Sequence, residues 1–360
     1  MNWLTDREKE VLRLIEENPM ISQNELAEKL NITRSSVAVH IANLMKKGVI
    51  KGKGYVFSKK DYVAVIGACN IDIGGFSTNK LIAKDSNPGK IRISFGGVSR
   101  NIAENLSRLG VDIELMTVFA DDVYSQSLKK NCMDLGMRIG NSISVSNETT
   151  ATYLYIADSD KDMSLAISDM EIYKHITKEY VETKKEVLKK AKAIVVDTCV
   201  PKETLKYITS LGVPVFIDLV SVSRGVSVKD FIGEFHTIKP NIYEAEMLLD
   251  MKITNDSDLE KAAKAFINKG VEQVFISLGE KGVYYSNKKE SGHLKALKTK
   301  AVNTTGAGDS FMAGIVYGFM ENMDIKKTAK IGSAAASICI ESIETISKDL
   351  SIEKIYEKIK

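Results

Sequence analysis

The chain has 360 residues, of which 44% are hydrophobic and 27% charged, the balance of a soluble globular protein. This length is too great for one small domain and fits one large domain with an accessory module. The net charge of +3 does not by itself indicate a polyanionic partner, so only local clustering of charge can do so.

The cysteines and the apolar runs indicate which cellular compartment the protein occupies. Cys69, Cys132, Cys199 and Cys339 are far apart and have no C-x-x-C spacing, which argues against a disulfide framework and a zinc site and for a reducing compartment. The first residues carry alternating charges rather than a basic and then apolar leader, and no apolar run reaches 18 residues. We therefore expect a cytoplasmic protein with no membrane span.

Residues 1–58 predict three short helices and a small hairpin. Thr5 with Glu8, and Ser22 with Glu25, have the spacing of helix-capping boxes. The stretch "NITRSSVAVHIANLMKKGVI" then indicates a turn and a third helix, and "IKGKGYVFS" indicates two extended pieces around a glycine turn. This is the layout of a winged helix-turn-helix, and the segment resembles the winged helix modules of bacterial transcription regulators.

Charge is segregated within this module. Seven basic residues and no acid lie between Arg34 and Lys60, whereas the acids lie between Asp6 and Glu28. A positive third helix and wing suit the phosphates of double-stranded DNA. The alternative is a module for dimer contact or autoregulation with solvated lysines. The DNA-contacting residues that we predict are Arg34, Ser35, Ser36, His40, Lys46, Lys47, Lys51 and Lys53.

From residue 61 to 360, strand and helix signals alternate. This alternation predicts a three-layer α/β sandwich with a mostly parallel sheet. Extended pieces at about 73–95 and 151–168 break the alternation and predict a small β lid. Central strands are predicted at 63–66, 114–120, 193–199, 214–219, 236–241 and 273–279, and helices at 99–109, 123–135, 202–210, 257–269 and 310–321.

The stretch "NTTGAGDSFMAGI" (303–315) places small residues before an acid and a helix-like run. Backbone amides in such a turn can point at an anion, and Asp309 can then act as a base toward an alcohol. A glycine turn with an acidic helix cap is the plain alternative. A serine nucleophile lacks partners here, and the P-loop pattern G-x-x-x-x-G-K-[ST] is missing from the sequence.

A second stretch, "GGVSRNIAENLSRLG" (96–110), is a paired-glycine turn leading into a helix. Together the two stretches resemble the two signatures of the PfkB (ribokinase-like) carbohydrate kinases, over residues 61–360. "KPNIYEAE" (239–246) supplies the family's N-x-x-E element, and "SLGEKGVYY" (277–285) its nucleotide-side strand and turn. The resemblance implies a ribokinase-like fold with a β lid, the use of ATP and Mg²⁺, and transfer of a phosphoryl group to an alcohol.

The resemblance also implies roles for individual residues. Asp309 is expected to be the catalytic base, and the amides of Gly306, Ala307 and Gly308 are expected to stabilise the transferring group. The remaining expected ligands form three sets: Asn241 and Glu244 for Mg²⁺ through water and for nucleotide; Ser277, Gly279, Gly282, Thr304 and Ser337 for nucleotide; and Asn70, Asp72, Gly96, Gly97, Arg100, Asn101, Thr152 and Asp169 for the acceptor substrate.

Within the family, "NPGK" (87–90), residues 100–105 and "ISDM" (167–170) look most like pseudouridine kinases, which phosphorylate the ribose 5′-hydroxyl. Another nucleoside, a free sugar such as ribose, or a transcription regulator that uses the kinase fold as a metabolite sensor are the alternatives. We expect a homodimer. Asn303 stands where the family has an acid that helps hold a monovalent cation, which puts potassium activation in question.

Overall fold

The computed structural model describes residues 4–19, 21–50, 61–160 and 163–360. They form two compact units, Met1–Lys60 and Asp61–Lys360. The predicted wing, with Lys51 and Lys53, lies outside the described residues. None of the described helices has the length and apolar character needed to cross a bilayer.

The first unit has three helices: α1 (Asp6–Glu17), α2 (Gln23–Leu30) and α3 (Arg34–Lys46). Both predicted capping boxes are present, because Thr5 and Ser22 each accept from the amide of the glutamate three residues on, whose carboxylate accepts from the cap amide in return. Thr33 caps α3. Leucine, isoleucine and valine side chains from all three helices form one core.

The second unit contains fourteen described strands and eleven described helices, apart from short 3₁₀ turns. The strands are β1 (Tyr62–Ile66), β2 (Asn70–Ser77), β3 (Gly89–Gly96), β4 (Asp112–Met116), β5 (Val118–Phe119), β6 (Ile143–Ser144), β7 (Thr152–Ala157), β8 (Met163–Asp169), β9 (Ala193–Asp197), β10 (Val215–Asp218), β11 (Thr237–Ile238), β12 (Gln273–Ser277), β13 (Val283–Asn287) and β14 (Ser291–Leu294). The helices are α4 (Val98–Arg108), α5 (Val123–Asp134), α6 (Lys178–Thr183), α7 (Lys185–Lys189), α8 (Lys202–Thr209), α9 (Val222–Gly225), α10 (Ile242–Leu249), α11 (Asp256–Lys269), α12 (Ala307–Met320), α13 (Ile325–Ile340) and α14 (Ile352–Ile359).

Eight strands form the main sheet in the order β14-β13-β12-β11-β10-β9-β1-β4. The strands from β12 to β4 pair in parallel, and β13 and β14 add an antiparallel edge. Alternate side chains enter two separate cores: Ala64 and Ile66 of β1 lie in one, and Val63 and Val65 lie in the other. A sheet covered on both faces is the predicted three-layer sandwich, which is confirmed.

Most predicted boundaries shift by one or two residues, and three elements differ in ways that bear on the site. The strand predicted at 114–120 breaks at Thr117, because its amide bonds to the Ser142 hydroxyl and its own hydroxyl to the Gly67 carbonyl. Helix α12 begins at Ala307 rather than at residue 310, so Asp309 lies in its first turn. The segment predicted as strand 236–241 is extended only at Thr237–Ile238.

A separate four-stranded sheet has the order β3-β2-β7-β8 and contains the segments predicted as a lid. Its register pairs Asp72 with Ser94 and Tyr153, and pairs Ile73 with Ile93 and Leu154. Since side chains alternate along a strand, the sheet has a polar and aromatic face that includes Asp72 and an aliphatic face that includes Ile73. We call them the polar lid face and the aliphatic lid face.

Candidate active site

The parallel strands end in charged and polar residues at one edge of the main sheet. Asp197 and Asp218 are the last residues of β9 and β10, and Lys239 follows β11. All three are buried, at 0%, 6% and 8% exposure. Asp197 accepts bonds from the Ala68 amide and from the amide and hydroxyl of Ser99, so it fixes the turns around the site.

Asp309 lies at the start of α12, where the sequence predicted the catalytic base. Gly306 caps the helix with φ 81°, and a Cβ there would lie 2.0 Å from the Thr345 carbonyl oxygen, so only glycine fits. No side chain of the described residues caps this helix end. The Ala307 amide bonds to the Thr304 carbonyl at 3.3 Å, whereas the Gly308 and Asp309 amides have no hydrogen bond among the described residues and are open to an anion.

Asn101 reaches the same point from α4. Its Nδ2 donates to Asp309 Oδ2 at 2.8 Å, joining two motifs that are 208 residues apart. The pKa of Asp309 is raised to about 7, first by burial and then by the charge of Asp218, whereas the Asn101 bond and Lys239 act in the opposite direction. A carboxylate with a pKa near neutrality suits a general base.

Lys239 is a residue that the sequence reasoning missed. Its Nζ lies 3.3 Å from Asp218 Oδ2 and 3.3 Å from where a Cβ on Gly308 would stand. Burial opposes its charge, but Asp218, Glu244 and Asp309 outweigh burial and raise the pKa of Lys239. This side chain is a cation at the open helix end. In the sequence, Lys239 is the first residue of "KPNIYEAE", the stretch whose asparagine and glutamate were predicted to bind Mg²⁺ and nucleotide.

Asp72 lies on the polar lid face and is partly buried. Asn70, only 3% exposed, donates to Asp72 Oδ1 at 2.7 Å, so Asn70 orients this carboxylate. A Cβ on Gly96 would lie 2.3 Å from Asp72 Oδ2, which explains the glycine. Burial raises the pKa of Asp72 to about 6 against the opposing Asn70 bond. Asp72 remains a candidate ligand for sugar hydroxyls.

The structure corrects the assignment of Arg100 to substrate binding. Arg100 is 3% exposed and donates to Glu104, to Asn131, to Asn101 Oδ1 and to the Phe95 and Gly96 carbonyls. These bonds hold its guanidinium inside the protein. Its role is to orient Asn101 and the paired-glycine turn. In that turn, a Cβ on Gly97 would lie 2.4 Å from the Ala68 carbonyl oxygen.

The register also corrects Thr152 and Asp169. Thr152 pairs with Ile71 and with Asp169, so both belong to the aliphatic lid face and not to the face of Asp72. Thr152 and Asp169 therefore lie on the opposite side of the lid sheet from a ligand bound by Asp72.

Aromatic residues on the polar lid face were missed by the sequence reasoning. Tyr153 pairs with Asp72, and its ring centroid lies 5.8 Å from that of Tyr155. Phe76 meets Tyr155 edge to face, and Arg92 lies 5.4 Å over the Phe76 ring. Their signal was the alternation in "TYLYIADSD", which places the two tyrosines on one face.

Asn241 and Glu244 begin α10 as a complete capping box, with both bonds at 2.9 Å. Glu244 uses Oε2 for this cap, and Oε1 has no hydrogen bond among the described residues. Burial raises the pKa of Glu244 against the opposing Asn241 bond and Lys239 charge. A carboxylate oxygen and nearby Asp218 are hard oxygen donors of the kind Mg²⁺ accepts. The residues present therefore fit magnesium bound through water and phosphate.

The residues expected to bind nucleotide are partly brought together. Ser277 pairs with Asn241 in a parallel bridge, and the following turn uses Gly279 at φ 59° and Gly282 at φ 100°. Thr304 is exposed, and its carbonyl accepts from the Ala307 amide. Ser337 is a correction, because it is only 4% exposed and its inaccessible Oγ has no partner among the described residues.

The candidate DNA-contacting residues lie in the first unit. Arg34, Ser35 and Lys46 are exposed on α3, together with Val39, which is 58% exposed and which we did not predict. Ser36 and His40 are partly buried.

Lys47 differs from the other candidates on this helix. Its Nζ bonds to both carboxylate oxygens of the buried Glu8, at 2.9 and 2.7 Å, and stabilises the fold of the first unit. Lys47 is nevertheless exposed, so its phosphate contact stays a prediction.

Comparison with known proteins identifies both units. Residues 60–352 match the pfkB family carbohydrate kinase domain, and residues 4–51 match a winged helix-turn-helix DNA-binding domain. The chain is 38% identical over 338 residues to the uncharacterized sugar kinase YeiI of Escherichia coli (strain K12), covering 93% of each chain. It is also 38% identical over 304 residues to the pseudouridine kinase of that organism, covering 84% of this chain and 97% of the relative. A putative sugar kinase from Clostridium perfringens has a TM-score of 0.76 at 36% identity, over 84% of this chain and 96% of that one.

Proposed function

The chain belongs to the pfkB family of carbohydrate kinases, and we propose that it transfers the γ-phosphoryl group of ATP to the 5′-hydroxyl of pseudouridine. The observation that carries this proposal is the position of Asp309, which Asn101 holds at an uncapped helix end beside the cation of Lys239. A base, open amides and a fixed cation at one point are the groups that phosphoryl transfer requires.

The proposed step moves one proton and one phosphoryl group. The 5′-oxygen attacks the γ-phosphorus, its proton passes to Asp309, the bond from the γ-phosphorus to the bridging oxygen breaks, and ADP leaves. General base catalysis of this kind contributes ~10²–10⁴-fold. The amides at the start of α12 and the Lys239 ammonium stabilise the charge on the transferring oxygens.

Magnesium has candidate ligands in Glu244 and Asp218. No group of three His, Cys, Asp or Glu within the described ranges could hold a metal by itself, so phosphate and water complete the set in this proposal. Bound Mg²⁺ would neutralise phosphate charge during transfer. Asn241 would act on the metal site through Glu244, whose amide donates to Asn241 Oδ1 in the capping box.

The choice between a nucleoside and a free sugar depends on the lid. The two relatives at 38% identity are a pseudouridine kinase and an uncharacterized sugar kinase, so identity does not separate the acceptors. The polar lid face carries Phe76, Tyr153 and Tyr155 beside Asp72. Aromatic rings stack on nucleobases with ~1–3 kcal/mol per base, and a free sugar offers no such partner. This face supports a nucleoside, with ribose as the second candidate.

An acceptor panel tests the proposal. Purified protein with Mg²⁺-ATP is incubated with pseudouridine, uridine, inosine or ribose, and products are measured by mass spectrometry. We expect pseudouridine 5′-phosphate as the main product, and Asp309→Asn should lower kcat at least ~10²-fold. Asp324→Asn is the matched control, because Asp324 also begins a helix and asparagine caps equally well. Faster turnover of ribose would overturn the acceptor, and an active Asp309→Asn variant would overturn the base.

We further propose that the first unit binds double-stranded DNA through α3. The match to a winged helix-turn-helix domain supports this, together with the exposed Arg34, Ser35 and Lys46 on that helix. The exposed Val39 can contact a thymine methyl in the major groove.

The homodimer stays a proposal, and the aliphatic lid face supports it. Ile91, Ile93, Leu165 and Ile167 of this face are 75%, 56%, 58% and 57% exposed. Apolar patches of this kind on a protein surface mark interaction sites. These four side chains are aliphatic, so an identical patch on a second copy is complementary to them in a two-fold arrangement.

A further inference from the structure

The turn that carries the open amides is tied to the last residues of α13 and to the segment that follows it. The amides of Val302 and Asn303 both donate to the Ile340 carbonyl, at 2.7 and 3.2 Å. Cys339 Sγ lies 3.2 Å from the Thr345 carbonyl oxygen and 3.6 Å from that of Thr305. The backbone carbonyls of this segment therefore converge behind the turn at Gly306.

The side chain of Asn303 bridges these two segments. Its Oδ1 accepts from the Thr305 amide at 3.0 Å, and its Nδ2 donates to the Ile343 carbonyl at 3.0 Å. The orientation of the amide is fixed from both sides, because an N–H group faces one of its atoms and a carbonyl oxygen faces the other.

A monovalent cation does not fit this arrangement. Such a cation needs several oxygen ligands and favours a carboxylate among them. Here the Ile343 carbonyl accepts from the N–H of Asn303, and the single S–H of Cys339 lies 3.2 Å from the Thr345 carbonyl oxygen and 3.6 Å from that of Thr305. An N–H and an S–H group thus face carbonyl oxygens that, with an acid at residue 303, would be available to a cation.

We propose that Asn303 and Cys339 replace the monovalent cation of acid-bearing relatives, so that catalysis by this chain is independent of potassium. Asn303 is then a positioning residue: its two hydrogen bonds hold the turn at Gly306 and, through it, the amides in front of Asp309. This inference rests on the proposed phosphoryl transfer for its kinetic consequences, but not for its structural ones.

Replacing Asn303 by aspartate should make catalysis dependent on potassium. A carboxylate oxygen would then face the Ile343 carbonyl at ~3 Å, and two negatively polarised oxygens at that distance repel unless a cation lies between them. The Asn303→Asp variant should therefore lose activity in potassium-free buffer and recover it when potassium is added.

The experiment compares the wild type and Asn303→Asp in potassium chloride and in choline chloride at equal ionic strength. We expect the wild-type kcat and Tm to agree within about twofold and about 1 °C between the two salts. The variant should lose at least ~10-fold in kcat in choline, and both its kcat and its Tm should rise with potassium. Asn287→Asp is the matched control, since its Oδ1 accepts from the amides of Lys289 and Glu290, which a carboxylate also does.

Measuring both kcat and Tm distinguishes a failure of the proposed function from a failure of the proposal for Asn303. Absence of kinase activity in every salt would contradict the proposed function, while the Tm comparison would still test Asn303. A wild type whose kcat rises severalfold, or whose Tm rises clearly, in potassium chloride would overturn the proposal even if the variant does not fold. A folded Asn303→Asp variant that ignores potassium in both readouts would overturn it as well.

Discussion

The charge of Asp218 should set the pH dependence of the reaction through Asp309. Asp309 acts as a base only when ionised, so kcat/KM should rise with pH through about 7, the pKa to which this carboxyl is raised. After burial, Asp218 is the largest influence that raises this pKa. Asp218→Asn removes that charge, and the Asn side chain can still accept from the Val220 amide.

The expected size of the shift follows from electrostatics. Two charges ~8 Å apart at an effective dielectric constant of about 20 interact by ~2 kcal/mol. Lys239, which pairs with Asp218 at 3.3 Å, is present in both proteins, so its charge leaves this difference unchanged. We therefore expect the pKa of Asp309 to fall by at least about one unit, which raises its ionised fraction at pH 6 from about 9% to about 50% or more.

The assay is the pH profile of kcat/KM for Mg²⁺-ATP from pH 5 to 9, which reports the pKa of Asp309 before magnesium reaches Asp218. In Asp218→Asn the midpoint of the acidic limb should move from about 7 toward about 6, whatever happens to the maximal rate. In Asp309→Asn the limb should vanish with the activity, and Asp324→Asn should leave it in place. A midpoint that stays fixed in Asp218→Asn, or moves to higher pH, would refute the proposed coupling.

Three further predictions concern the turn, the lid and the first unit. Gly306→Ala should lower Tm and abolish activity, because its Cβ would lie 2.0 Å from the Thr345 carbonyl oxygen. Gly308→Ala is the control and should fold, because its Cβ would meet only the tip of Lys239, at 3.3 Å. Equal losses of Tm in the two variants would contradict this prediction. Ile91→Lys with Leu165→Lys should give a monomer in sedimentation velocity, with Met133→Lys, 56% exposed on α5, as control; an unchanged dimer would exclude the aliphatic lid face. Arg34→Ala should weaken a gel shift of duplex DNA and lower its salt slope by about 1, with Arg13→Ala as control, and a wild type that binds no duplex at low salt would remove the DNA proposal.

The sequence determined the fold class, because periodicity and turn chemistry act locally. The valine- and isoleucine-rich stretch at β1 reads as a strand buried on both faces, and the structure divides its side chains between two cores. The capping boxes at Thr5 and Ser22 could be predicted from the sequence for the same reason, since a cap and its glutamate are only three residues apart.

Only the tertiary structure decided which polar groups meet. Lys239 and Asp218 come from different strand ends, and nothing in their local sequence shows that they flank Asp309. Arg100 stands in a signature motif, yet packing turns its guanidinium inward, where it bonds to Asn101 Oδ1. Strand spacing allowed a lid, but the register between strands placed Thr152 on the opposite face from Asp72. Long-range contacts of this kind depend on how the elements pack, and a linear sequence records packing only indirectly.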